Sequence, residues 1–299
     1  GKIALNAKNI PFAPETKARA SLREMDEERA NNTFQIQSTL TVTQGEVYIE
    51  PIYVEITEKQ PVTIAIDSIM QPQNINVHHF TYTHTDIVTL QGALELADLE
   101  DDWTLKQLTL QSEQTELKPF YLNYLQTWWQ NEENVLGDLE VSGAIKATFD
   151  WNPDNFHWLV QVSQANLEDR QQSFGIKGLH GKIQQHSHVT TLPSHLHWRS
   201  AYFASAIQLG VSQIRFNWHG GQIKLLAPWY QPIFDGALRI EEFGLENLGD
   251  DNISWQLRGK LYPISLQTLM TALDGPPLSG TIAGEIPAVS YKDNHLKIG

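Results

Sequence analysis

The sequence predicts an all-β fold: a long, curled antiparallel β-sheet forming a groove, with short amphipathic helices near residues 119–130 and 263–273. Three observations predict it. Apolar and polar residues alternate in on the order of 20 short runs, the pattern of half-buried strands. No helical pattern recurs between strands at βαβ spacing, so helices are not supplied to cover the apolar side of the sheet. The stretch from Pro119 to Trp151 is also written a second time, 141 positions later. Tyr121 falls on Tyr262, Leu125-Gln126-Thr127 on Leu266-Gln267-Thr268, Gly143 on Gly284, Ile145 on Ile286 and Ala147 on Ala288, seven identities in 27 positions without a gap. A chain that repeats one helix–loop–strand unit is lengthening a structure rather than closing a compact one.

The chain opens with a strand-like run at Gly1–Asn6, followed by Pro11, Pro14 and a charged loop over 15–32. From Thr33 the period is two. Phe34, Ile36, Leu40, Val42, then Val47, Ile49, Ile52, Val54, Ile56, then Val62, Ile64, Ile66 alternate with polar neighbours, as do Ile75, Val77, Leu94, Leu96, Leu108 and Leu110. Alternation of this kind gives a sheet with one apolar face and one wet face.

At Pro119 the rhythm changes. Phe120, Tyr121, Tyr124, Leu125, Trp128 and Trp129 recur at helical spacing, and Pro119 suits a first helical turn. That reads as a helix plugging or edging the sheet. Strands resume through Val141–Trp151 and Phe156–Val162, joined by the turn Asn152-Pro153-Asp154-Asn155. Further runs cover Phe174–Ile183, Leu196–Trp198, Ala201–Val211 as one strand, and Ile214–Trp218 with Ile223–Leu225 about a Gly220-Gly221 turn. Leu238–Ile240 and Ile253–Leu257 precede the second helix, which Pro276-Pro277 terminates; Ile282–Val289 and Leu296–Ile298 begin a last hairpin around Lys292-Asp293-Asn294. Divided by the repeat, the chain has a β segment over 1–118, a helix-plus-strand repeat over 119–262 and the start of a next repeat over 263–299, all in one continuous sheet.

The totals exclude several function classes. The chain has 299 residues and a net charge of −14, from 21 basic and 35 acidic residues. That argues against nucleic acid, which needs clustered Lys and Arg, and against electrostatic adsorption to anionic lipid, while leaving hydrophobic contact with lipid open. There is no Cys, so there is no disulfide, thiolate ligand or thiol nucleophile. No run approaches the ~18–20 apolar residues that span a bilayer, so a membrane anchor is expected outside this sequence. Phosphate-loop, nucleophile-elbow and dinucleotide patterns are absent, and no cofactor and no enzymatic activity are expected.

Two constellations invite chemistry. His186-x-His188 and His195-x-His197 would share one face of a hairpin if Val189 paired with Ser194, and four imidazoles can hold zinc or copper; a polar His face on an amphipathic hairpin is the alternative. Glu241-Glu242 and Asp250-Asp251 carry the residue types of a glycosidase pair, but they fall in Gly-flanked loop segments without an obvious partner and read as solvated loop carboxylates.

The segment Trp255–Asp274, with the motif Leu278-Ser-Gly-Thr-Ile-Ala-Gly-Glu-Ile-Pro287, resembles the YdbH-like branch of the AsmA-like superfamily, bridge-like lipid transfer proteins that carry a "dicarboxylate transport" domain label. The shared features are a short helix after a Pro, a Gly-x-Ile-x-Gly-x-Ile-Pro strand and a hairpin ending in Leu-x-Ile-Gly, over about the last 45 residues. The resemblance implies a periplasmic protein, anchored in the inner membrane, whose β-groove lets phospholipids pass between inner and outer membrane. It also implies a small outer-membrane lipoprotein partner bound by strand addition. No Arg cluster suited to carboxylate binding supports the dicarboxylate label.

The residues read alone agree with a lipid conduit. A dry curled sheet suits acyl chains at ~0.8 kcal/mol per buried CH₂. The expected lining is Ile145, Phe149, Trp158, Val160, Val162, Ile207, Leu209, Ile214, Phe216, Trp218, Ile223, Leu225, Trp255 and Leu257. Two other readings stand beside it. One is a structural scaffold for envelope assembly with no lipid path. The other is a carbohydrate-binding module using Trp151, Trp158, Trp198, Trp218 and Trp255.

Overall fold

The computed structural model describes residues 3–6, 33–49, 52–71, 73–99, 102–127, 135–190, 192–248, 252–292 and 295–299. The charged loop over 15–32 lies outside the described residues, as do Trp128, Trp129, Asp250 and Asp251. Strands make up 71 % of what is described, and nineteen of them belong to one antiparallel sheet accompanied by two short helices. The all-β expectation therefore holds. The chain divides into two compact units, the first of residues 1–137 with 145–158, the second of 138–144 with 159–299.

In the first unit, β1 (Ile3–Asn6), β3 (Gly45–Ile49) and β4 (Ile52–Ile56) form a small sheet of their own. The larger meander runs through β2 (Phe34–Val42), β5 (Val62–Gln71), β6 (Asn74–His84), β7 (Val88–Leu99) and β8 (Asp102–Ser112) to the end of β10 (Leu139–Asn152). A two-residue β9 (Thr115–Glu116) leads into α1, which begins at Leu117–Phe120 and widens to a π-helical turn over Tyr121–Leu125. Pro119 sits in the first turn, where its missing N–H costs nothing. The helix starts two residues before the predicted Pro119, because Leu117 is buried and anchors it to the sheet.

β11 (Asn155–Asp169) starts in the first unit and from Leu159 belongs to the second, where it leads to β12 (Phe174–His186). Then follow β13 (Pro193–Trp198), β14 (Ser200–Phe203), β15 (Ile207–Leu209), β16 (Ser212–His219), β17 (Gln222–Leu225) and β18 (Trp229–Ile233). The short pieces are interrupted strands. Phe174 faces Phe203 and His180 faces His197, so β13 and β14 share one register on β12 with a break at Arg199. Ala201 faces Leu209 and Trp198 faces Ser212, so β15 and β16 likewise continue each other. The meander then passes through β19 (Gly236–Glu246), β20 (Ser254–Ser265), β21 (Thr281–Lys292) and β22 (His295–Ile298). Helix α2 (Leu266–Ala272) is capped by Ser265, whose hydroxyl accepts the Thr268 N–H.

Three expectations are corrected here. The predicted strand Ala201–Val211 is a hairpin: Ala204 and Ser205 take positive φ values of 48° and 52° and turn the chain without any Gly to announce it. The predicted second helix does not start at Pro263, because Pro263-Ile264-Ser265 completes β20, with Ile264 buried opposite Ile282. Glu241 and Glu242 lie in a bulged strand rather than a loop, where the pairing shifts between Ile240 and Glu242.

The repeat shows in its strands. β10 moved by 141 positions spans 280–293, and β21 occupies Thr281–Lys292. Among the described residues the helices overlap over 266–268, where the helical Leu125-Gln126-Thr127 fall on Leu266-Gln267-Thr268, and α2 lacks the first turns of α1.

Candidate functional site

Side chains opposite each other in antiparallel strands project from the same face of the sheet, so the register converts sequence alternation into surfaces. In the first unit one cross-strand row reads Ser38, Ile66, Phe80, Gly92, Leu110, Phe149. The next reads Ile36, Ser68, Val77, Leu94, Leu108, Trp151, and a third begins Leu40, Ile64, Tyr82, Leu90. The opposite face carries Thr39, Ala65, Thr81, Gln91, Gln111 and Thr148 in one row. One face is a field of large apolar groups and the other a field of hydroxyls and amides. The Phe80 ring crosses Gly92, where a Cβ would lie 2.8 Å from it, so the row is continuous although Gly92 contributes no side chain.

The second unit repeats this division. Trp218, Ile223, Leu245, Trp255, Tyr291 and Leu296 stand opposite one another across six strands, with the Trp255 and Tyr291 rings stacked at 6.1 Å. Phe243, Leu257, Val289 and Ile298 form the adjoining row. Between them on the other face run Lys224, Gly244, Gln256, Ser290 and Lys297.

Of the fourteen expected lining residues, Ile214, Phe216, Trp218, Ile223, Leu225, Trp255 and Leu257 share this apolar face of the second unit. Val160 and Val162 alternate with exposed Gln161 and Ser163 on β11 of the same unit. Ile207 and Leu209 sit on the interrupted strand β15, Leu209 between Ala201 and Ile233. Ile145, Phe149 and Trp158 belong to the first unit, with Phe149 in the row of Leu110. Phe216 alone of the fourteen is buried; the others are half-buried. In a sealed sandwich, facing aliphatic and aromatic groups bury one another almost completely. Here each apolar face keeps solvent access along its length.

The end of the first unit's apolar face is closed by α1. Tyr124 packs against the cluster Val54, Ile56 and Val62, together with Val42, Val47 and Tyr82. Its hydroxyl lies 2.7 Å from the Tyr82 hydroxyl and 2.8 Å from His84 Nδ1, and Phe120 stacks on its ring at 5.2 Å. Burial lowers the His84 imidazole below its ordinary pKa and raises both tyrosines, so the trio is uncharged. Tyr121, 1 % exposed, fixes the same helix by donating to the Leu136 carbonyl at 2.8 Å. Sequence spacing identified this helix as an edge or plug, but not the Tyr82–Tyr124–His84 bridge, which joins residues 40 and more positions apart.

The histidine constellation is not assembled. His195 pairs with Lys182 and His197 with His180, whose rings are 4.5 Å apart, while His186 and His188 lie at the end of β12 and in the following bend. The predicted register fails because the connection takes six residues, 187–192, rather than a four-residue turn. Among the described residues no group of three or more metal-ligating side chains converges. Glu241 and Glu242 both pair with Arg258, the first at 3.5 Å, an arrangement of solvated charges on a strand face. Trp229 was missed by the sequence reading; it meets Trp198 edge-on at 5.9 Å and donates to the Ser212 hydroxyl at 2.9 Å.

No helix among the described residues is long and apolar enough to cross a membrane. Comparison with protein-family models, with curated proteins and with solved structures found no match in any of the three.

Proposed function

We propose that this chain is a non-enzymatic segment of a lipid conduit that shields phospholipid acyl chains on the apolar faces of its sheet. The carrying observation is the cross-strand rows, six strands wide in each unit, whose large apolar groups remain half-buried while mainly polar and charged groups occupy the reverse face. An apolar field of this extent on a protein surface marks a surface that receives apolar partners. Each half-covered Leu or Phe leaves on the order of 1 kcal/mol of burial unrealised, and acyl chains supply that cover without hydrogen bonds. A carbohydrate would leave most of this face unmatched, since it presents aliphatic rows more than isolated aromatic platforms. The periplasmic setting and the outer-membrane lipoprotein partner implied by the resemblance belong to this proposal.

The test is mass spectrometry of an organic extract of the purified protein, beside the Leu94→Asp and Trp255→Glu variants. Phospholipid recovered with the parent chain and reduced several-fold in folded variants is the expected result. A parent chain free of lipid, with the variants unchanged, supports the scaffold reading instead.

A further inference from the structure

The net charge of −14 is unevenly placed. From Arg170 to Phe234, 65 residues contain no Asp or Glu, yet they hold six Lys or Arg and six of the eleven His. All 35 acidic residues, with the remaining 15 basic ones, lie elsewhere. At a Debye length of about 8 Å in physiological salt, a surface feels its own charges and not the distant remainder of the chain. The block is therefore locally cationic wherever carboxylates of neighbouring strands do not reach it.

The fold concentrates it. β12, β13, β16 and β17 are neighbours, so no carboxylate is contributed to this part of the sheet by its own strands. Lys182, His195 and Arg215 face one another in a single row on the side opposite Leu196 and Ile214, and His180 pairs with His197 in the adjacent row. Three cations of the block are paired: Arg170 with Asp138 at 3.5 Å, Lys177 with Glu168 at 3.1 Å and Lys224 with Glu246 at 4.0 Å. Lys182, Arg199 and Arg215 take part in none of the ion pairs among the described residues. Like charges held on adjoining strands repel and lower stability unless an outside anion compensates them.

We propose that the outer face of β12, β13 and β16 is a docking surface for an anionic lipid bilayer, with Lys182 and Arg215 as its principal contacts to phosphate headgroups. Two observations choose a membrane over an acidic protein. The charges are spread over a sheet face, a strand spacing of ~4.8 Å apart, rather than gathered around one pocket. Large apolar groups are also exposed at positions sharing the parity of Arg215: Val211, and Leu226, whose N–H bonds to the Arg215 carbonyl. Cations beside exposed aliphatic groups are the composition of an interfacial surface. This surface lies on the reverse of the apolar rows and does not depend on their binding acyl chains.

The experiment is co-sedimentation of the full chain with phosphatidylcholine vesicles, with and without a one-third share of phosphatidylglycerol. Selective binding to the anionic vesicles is expected, lost in 1 M salt where the screening length falls to about 3 Å. Lys182→Gln with Arg215→Gln should weaken it about thirty-fold, near five-fold for each cation, whereas Lys182→Arg with Arg215→Lys should retain it. Equal binding to both vesicle types overturns the proposal, as does a Gln double variant that binds like the parent, or binding competed away only by an acidic peptide. Lipid extracted with each variant, measured separately, reports on the apolar face alone.

Discussion

The Tyr124 hydroxyl stands 2.8 Å from His84 Nδ1 and 2.7 Å from the Tyr82 hydroxyl, tying α1 to the sheet through groups from β6. The Tyr124 hydroxyl bonds both groups through its one proton and its lone pairs, and the His84 tautomer sets which end of the chain donates. Tyr124→Phe removes the shared hydroxyl and leaves two buried polar groups without it. A loss of about 1–3 kcal/mol is expected, read from urea unfolding. A change within error would mean the bridge contributes nothing to holding the helix.

The same site makes stability depend on pH. His84 is 1 % exposed, and burial holds its folded-state pKa below the unfolded value of about 6.5. The unfolded chain therefore takes up a proton at higher pH than the folded chain. Stability should be full above pH 6.5 and fall as pH drops from there to the depressed folded value, below which this contribution is constant. Melting temperature followed from neutral pH downwards should decline less in His84→Gln than in the parent.

Gly143 and Gly284 occupy equivalent positions in the repeat but not equivalent environments. Gly143 has φ +101°, and a Cβ there would lie 2.6 Å from Ala165 Cα; at Gly284 nothing lies within 4 Å. Gly143→Ala should cost about 2–4 kcal/mol from left-handed strain and overpacking together. Gly284→Ala should stay within about 0.5 kcal/mol of the parent. Paired denaturation curves check both.

Ser194 is wholly buried, and its hydroxyl accepts the Gln184 N–H at 3.0 Å and reaches the Gln184 carbonyl at 3.3 Å. Ser194→Ala leaves both main-chain groups of Gln184 without that partner. It should cost about 1–3 kcal/mol and raise the exchange rate of the Gln184 amide, observable by hydrogen-exchange mass spectrometry.

Strand positions were legible because side-chain alternation is a local signal: Asn152-Pro153-Asp154-Asn155 and Gly220-Gly221 turn where they were expected, the first with Asp154 N–H bonded to Asn152 Oδ1. What failed was non-local or unsignalled. The turn at Ala204-Ser205 uses left-handed residues that no propensity marks. Pro263 looked like a helix start, but the burial of Ile264 keeps it in β20. The four histidines were placed together by an assumed register, which depends on a loop length that alternation does not encode. The apolar faces were legible as parity within each strand; their assembly into six-strand rows required the pairing.

The most direct test of the central claim exploits that parity. A photo-crosslinking amino acid placed at Leu108 or Trp255, on the apolar faces, is compared with the same probe at the neighbouring Gln107 or Gln256, on the reverse face. The account predicts phospholipid adducts at Leu108 and Trp255 and none at Gln107 or Gln256. Equal yields on both faces, or none on either, would contradict it.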